Sequence, residues 1–267
     1  MEPFSLADVK PSNLKSKYYV GNPLGSGGQA TVLLGKYKDN ILPGGFVALK
    51  VHTVNRNNLF RIQKEIRIHR HLNNLHREEN EDSDNVINHI VQLYEVIRGI
   101  QCVTCVLEYC DGKDLLDNIR DESNKSKAQP FSEELAASTI SVMANILSTL
   151  KQHGIIHRDL KPENFVYKTS SNGTKVLKLI DFGLACLETD AIEVRSEYVG
   201  TPGYIAPEIY KGLPASSASD VWSLGVILFI LLTATMPFDG SRTKSQLLHL
   251  EENMNFHFKE PHWPNGN

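Results

Sequence analysis

Before residue 110 the hydrophobic pattern of this chain breaks repeatedly into short β-type runs, and after residue 130 it does not. KYYVGNPLG (17–25), ATVLLGKYK (30–38), FVALKVH (46–52), IVQLYEVI (90–97) and CVTCVLEY (102–109) are rich in β-branched and aromatic residues and separated by Gly, Pro and Asn. That combination predicts an antiparallel sheet of about five strands. One helix interrupts it, because from Arg61 onward Ile62, Ile66, His69, Leu72 and Leu75 recur at three- and four-residue spacing. The polar stretch RDESNKSKAQP (120–130) then gives way to FSEELAASTISVMANILSTLKQHG (131–154). There Ser132 is a plausible N-cap, Glu133 and Glu134 complement the positive helix end, and Gly154 follows the last turn. A chain of 267 residues can bury one large core or two modest ones. The change of period favours two: an α+β arrangement of a small sheet-rich lobe followed by a helical one, joined near 108–114.

Composition narrows the partners. A net charge of −3 and a pI near 6.4 give no basic footprint for nucleic acid. The first ten residues, MEPFSLADVK, lack the apolar stretch of a signal peptide. The longest apolar run, Val221 to Ala234, falls short of the about 20 residues a bilayer requires and reads as a buried helix, with a shorter helix near 243–253. Cys102 and Cys105 have CxxC spacing, but no second pair completes a zinc set, and the stretch reads as strand. Free thiols in a reducing cytoplasm are expected, with the nucleus also open. The acidic HREENEDSDN (76–85) is expected to be a solvated insertion.

Polarity concentrates in GIIHRDLKPENFV (154–166), where His157, Arg158, Asp159, Lys161, Glu163 and Asn164 stand between apolar flanks. That is chemistry mounted on a scaffold. The loop GSGGQATV (25–32) lies between two predicted strands, and its glycines let backbone N–H groups approach a phosphate chain. Lys50, on a strand expected to be buried, calls for a partner that Glu65 can supply. Asn164 and Asp181, in IDFG (180–183), offer hard oxygen ligands suited to Mg²⁺ bound with substrate phosphates. Asp159 remains as a carboxylate to accept a proton from an attacking hydroxyl, and Lys161 as a cation for the transferring phosphoryl group. GTPGYIAPE (200–208) follows a loop of Ser, Thr, Glu and Tyr.

Taken in order, the Gly-rich loop, VALK, HRDLKPEN, IDFG and APE resemble the signature set of eukaryotic protein kinases. The resemblance implies a bilobal kinase fold: residues 1–18 an extension, 19–108 an N-lobe with a five-stranded antiparallel sheet and one helix, 109–114 a hinge, and 115–267 a mainly helical C-lobe lacking its last helices. By similarity, Val32, Ala48 and Val166 would sandwich adenine, Leu107 would be the gatekeeper, and Glu108 to Cys110 would supply backbone hydrogen bonds. Leu24, Gly25, Ser26, Gly27 and Gly28 would cover the nucleotide, Lys50 paired with Glu65 would meet the α- and β-phosphates, and Asn164 and Asp181 would hold magnesium. Asp159 would be the base. Lys161 and Thr201 match serine/threonine kinases, so protein Ser/Thr acceptors and ATP–Mg²⁺ are implied, and Asp114 and Glu163 match acidic positions that face a basic residue before the acceptor. EYCDGKDLLDNI and GTPGYIAPE look most like the calcium/calmodulin-dependent group, with the regulatory partner unknown.

Departures from the pattern generate their own expectations. Ala30 replaces the third glycine. His69 stands at an aliphatic spine position, so His69→Leu is expected to raise activity. Glu197 is expected to pair with Arg158 in place of a phosphothreonine. Glu208 is expected to lack its usual arginine. A nucleotide-binding module without turnover is the alternative reading, and a small-molecule kinase is disfavoured by GTPGYIAPE.

Overall fold

A computed structural model describes residues 4–27, 30–39, 45–78, 86–125, 131–190 and 198–252. The chain divides into two compact units, Met1–Gly112 with Lys168–Lys178, and Lys113–Tyr167 with Leu179–Asn267. The first unit thus runs past the expected end at residue 108 and takes in a segment from far along the chain.

In the first unit a 3-10 turn, Leu6–Asp8, and a short helix α1 (Leu14–Lys17) lead into β1 (Tyr18–Ser26), β2 (Thr31–Tyr37) and β3 (Phe46–Thr53). Helix α2 (Leu59–Glu78) precedes β4 (Leu93–Arg98) and β5 (Cys102–Glu108). The strands form one antiparallel sheet in the order β1-β2-β3-β5-β4. Because side chains alternate across a strand, Val47, Leu49 and Val106 share one face, where they form a core with Tyr18 and Ile97. Register sets the other face: Val32 stands opposite Lys50, which stands opposite Cys105, and Leu34 opposite Ala48, which stands opposite Leu107. Helix α2 extends to Glu78, so the expected insertion starts inside the helix, and residues 79–85 lie outside the described residues.

Two polar residues tie this unit together in ways the sequence reading did not foresee. His69 is buried, and its Nε2 lies 2.7 Å from the Val91 carbonyl, to which it donates. It is therefore a hydrogen-bonding tether rather than a stand-in for an aliphatic residue, which overturns the basis for expecting a gain from His69→Leu. Glu108 is also buried. Its carboxylate accepts from Lys168 Nζ at 2.5 Å, from Lys178 Nζ at 2.7 Å and from the Gln92 N–H at 3.1 Å, while its own N–H donates to the Gln92 carbonyl at 2.8 Å. With the Thr169 N–H on Asp111 (2.7 Å) and His89 Nδ1 on the Leu177 carbonyl (2.8 Å), these bonds explain why residues 168–178 belong to the first unit. Burial alone would push the Glu108 carboxyl up, but Lys178 and Lys168 outweigh it and hold the pKa below the ordinary carboxylate range.

The second unit begins with α3 (Leu115–Lys125) and α4 (Glu133–Gln152). Ser132 caps α4 by accepting from the Leu135 N–H, and Gly154 turns the chain away with φ 64°. Helix α3 overlaps the first six residues of the polar stretch 120–130, and among its residues only Leu115 and Ile119 are buried. Strand β6 (Ile155–Ile156) pairs with β9 (Cys186–Leu187), whereas β7 (Phe165–Thr169) pairs with β8 (Lys175–Leu179), a hairpin of which residues 168–178 belong to the first unit. Then follow α5 (Pro207–Tyr210), α6 (Ser217–Thr233) and α7 (Lys244–Glu252). Helix α6 starts one turn before the apolar run at Val221, because Ser216 and Ser219 form a capping box there.

Two outcomes follow. His69→Leu deprives the buried Val91 carbonyl of its donor and should lower unfolding free energy by about 1–3 kcal/mol in denaturant titration, without raising activity. Glu108→Gln leaves Lys178 buried without its counter-charge and should cost about 3 kcal/mol at pH 7. A depressed carboxylate pKa contributes stability above its unfolded value, near 4.3. The gap between wild type and Glu108→Gln should therefore close as pH falls below about 4, measured by urea midpoints against pH.

Candidate active site

In the first unit β1 and β2 close a hairpin in which Gly25 pairs with Val32 and Ser26 with Thr31, and the Gly27 N–H donates to the Ala30 carbonyl at 3.1 Å. Gly28 lies outside the described residues. A Cβ at Gly25 or Gly27 would meet no atom within 4 Å, and neither has a positive φ. The fold demands glycine at neither position, yet glycine within a strand, as at Gly25 in β1, costs about 0.5–1 kcal/mol against alanine. The residues therefore fit a ligand whose phosphates need close backbone approach. Leu24 is exposed at the hairpin edge. On the sheet face beyond, Lys50 Nζ lies 2.5 Å from Glu65 Oε1, with both side chains buried, and His52 Nε2 lies 3.8 Å from Glu65 Oε2. Val32, Ala48 and Leu107 share that face by register. Burial pushes the Cys110 thiol up to about 12 and Cys105 higher still, so neither is a thiolate at neutral pH.

In the second unit the catalytic-type loop is built on one buried carboxylate. Asp220, in the first turn of α6, accepts from the His157 N–H at 2.8 Å and the Arg158 N–H at 2.9 Å. Arg158 is one of two non-glycine residues among those described with positive φ, at 67°. Burial pushes the Asp220 carboxyl upward, against the pull of His157 and the two backbone donors. Sequence reasoning missed Asp220, although an acid at the head of so apolar a helix was the available signal.

The loop then delivers Asp159. Its Oδ1 accepts from Thr201 Oγ1 at 2.7 Å, and its Oδ2 lies 3.3 Å from Lys161 Nζ, which donates to Thr201 Oγ1 at 2.9 Å. Asn164 Nδ2 donates to the Asp159 carbonyl at 2.7 Å. Gly200, at φ 120°, lets the Thr201 segment come this close, since a Cβ there would sit 2.8 Å from the Arg158 carbonyl oxygen. Asp159, Lys161 and Thr201, all expected from the sequence, are brought together. Arg158 Nε donates to the Leu184 carbonyl at 2.7 Å, and its expected partner Glu197 lies outside the described residues. Glu208, expected to lack its usual arginine, accepts instead from Ser219 Oγ, at 2.7 Å to its Oε1.

The Ile180 N–H donates to the Asn164 carbonyl at 3.0 Å, so Asp181 follows directly on a residue tied to Asn164. Phe182 is buried edge-on against the His157 ring at 5.4 Å, while Asp181 stays partly accessible, with Oδ1 accepting from the Gly183 N–H at 2.9 Å. Among the described residues no group of three or more His, Cys, Asp or Glu could hold a metal unaided. The side chains of Asn164 and Asp181 instead offer hard oxygen donors of the kind that suits a cation taking its remaining ligands from phosphate and water. Asp114 forms an isolated bridge with Val166 and caps α3 through the Asp117 N–H at 2.8 Å. Glu163 Oε2 is buried without a hydrogen-bond partner among the described residues.

The sequence has many relatives. The chain is 30% identical over 254 residues to a probable myosin light chain kinase of Dictyostelium discoideum, covering 95% of this chain and 59% of that protein. It is 32% identical to a CDPK-related protein kinase of Daucus carota, covering 93% of this chain and 38% of that one. It is 30% identical to a calcium/calmodulin-dependent protein kinase type 1 of Caenorhabditis briggsae, over 94% of this chain and 64% of that one. The chain therefore spans less than two thirds of the length of these relatives. Residues 18–266 match the model of the protein kinase domain. With the buried Lys50–Glu65 pair in one unit and the Asp159–Lys161–Thr201 triangle beside Asn164 and Asp181 in the other, the chain belongs to the protein kinase domain family.

Proposed function

We propose that this protein phosphorylates serine and threonine side chains of other proteins at the expense of ATP. The observation that carries the reading is the hydrogen-bonded triangle of Asp159, Lys161 and Thr201. Asp159 orients the acceptor hydroxyl and takes its proton as the oxygen attacks phosphorus. Lys161, held by Thr201, sets a positive charge where negative charge grows on the transferring group. Lys50, fixed by Glu65, binds the α- and β-phosphates, and the backbone of Gly25 to Gly27 closes over them. Asn164 and Asp181 would hold Mg²⁺, which supplies charge neutralisation at the phosphate oxygens when bound. Positioning and charge stabilisation are most of what phosphoryl transfer asks of a protein.

A basic residue before the acceptor is the preference we assign, because Asp114 and Glu163 border the catalytic loop and Glu163 Oε2 has no internal donor among the described residues. The likeness to the calcium/calmodulin-dependent protein kinase type 1 of Caenorhabditis briggsae supports this group of kinases without naming a regulator. We assign the cytoplasm, with the nucleus open, on the strength of four free cysteines. Among the described residues no helix is long and apolar enough to cross a membrane.

Phosphate transfer from ATP–Mg²⁺ to a serine peptide with upstream arginine tests the reading. Asp159→Asn should lower kcat by about 10²–10⁴-fold while the nucleotide still raises Tm. A wild type no faster than that variant would leave only a binding module. Thr201→Ala should lower kcat by about tenfold, and Thr201→Ser should restore it. Replacing the upstream arginine by alanine should cut kcat/KM by at least about tenfold, and an unchanged value would remove the basic preference.

A further inference from the structure

Residues 4–17 precede the match to the protein kinase domain, which starts at residue 18, and no step above uses them. They are nonetheless docked on the first unit. Leu6 is buried, and its carbonyl accepts from Arg98 Nη1 at 3.2 Å. The Ser12 N–H donates to the Arg98 carbonyl at 3.1 Å, and Pro11 forms a parallel bridge with Arg98, so the segment is fastened to the end of β4. Ser5 caps the Leu6–Asp8 turn through the Ala7 N–H. That turn swings Phe4 to helix α2, where the Arg70 guanidinium lies 4.4 Å from the centre of its ring.

Helix α2 is the element that carries Glu65. Beyond Glu65 it is tied by His69 to the Val91 carbonyl and by Asn73 to both backbone groups of Leu93. Arg70 lies between these two tethers in sequence, and Phe4 adds a hold from a segment anchored on β4. We propose that residues 4–12 form an intramolecular strap that positions α2, and with it Glu65 against Lys50, with Phe4 and Arg70 as positioning residues. The placement of α2 stands on these contacts alone. Its kinetic consequence rests on the phosphotransfer reading above.

The physical scale is modest. A cation–π contact at a partly exposed site shifts an equilibrium by about two- to fivefold. In the full chain, Phe4→Ala should therefore speed hydrogen exchange of α2 amides 63–73 by about two- to fivefold and raise KM for ATP by a similar factor, with a smaller change in kcat. Phe4→Tyr keeps the ring and should restore both values. Arg70→Ala should match Phe4→Ala, and the double variant should lose no more than either alone. Unchanged α2 exchange in Phe4→Ala, or an increase spread equally over the whole sheet, would overturn the strap. A fully additive double variant would do the same. Should wild type transfer no phosphate at all, the kinase reading fails and the exchange data still decide the strap.

Discussion

Asp220 is the group on which the second unit turns. Buried in the first turn of α6, its carboxylate takes the backbone N–H groups of His157 and Arg158 and holds Arg158 in the left-handed region. A side chain with a Cβ pays about 1–3 kcal/mol to stand there. Two charge-assisted hydrogen bonds from successive N–H groups to one carboxylate fix the backbone in that conformation. Everything after the turn depends on it. Asp159 is the next residue, Asn164 bonds back to the Asp159 carbonyl, and the Gly200 backbone lies against the Arg158 carbonyl so that Thr201 reaches Asp159.

The first unit solves a similar problem with ion pairs. Glu65 receives Lys50, and Glu108 receives Lys168 and Lys178, the latter pair brought from a hairpin far along the chain. A buried ion pair often contributes little net stability against an apolar replacement, because both partners lose their hydration. What such pairs do supply is a definite position, since removing either partner leaves a charge stranded. For Lys50 that position is on the sheet face it shares by register with Val32, Ala48 and Leu107. For Glu108 it fastens residues 168–178 to β5, which is why a stretch with second-unit neighbours in sequence belongs to the first unit in space.

Most of the elements were legible in the residues. β-Branched alternation marked the five strands to within a few residues, the three- and four-residue spacing marked α2, and Ser132 with its two glutamates marked the start of α4. Helix α3 was not legible, because only Leu115 and Ile119 are fully buried and its second half lies in the polar stretch 120–130. The candidate site was legible as chemistry: Lys50, Glu65, Asp159, Lys161, Asn164 and Asp181 could each be named as candidates from type and order, and Thr201 from the resemblance alone. The hydrogen bonds of His69 and Glu208 to Val91 and Ser219 were not foreseen, and the contacts of Asp220, Glu108 and Phe4 were not seen at all.

The division follows from range. Periodicity, capping and turn chemistry act over a few residues, so composition and spacing along the chain suffice to set the strands, the helices and the kinds of group on offer. Asp220 meets His157 across 63 positions, Glu108 meets Lys178 across 70, and Arg98 meets Leu6 across 92. No local pattern encodes such pairings. They arise only when buried polar groups, unable to reach water, must find donors and acceptors inside the packed fold.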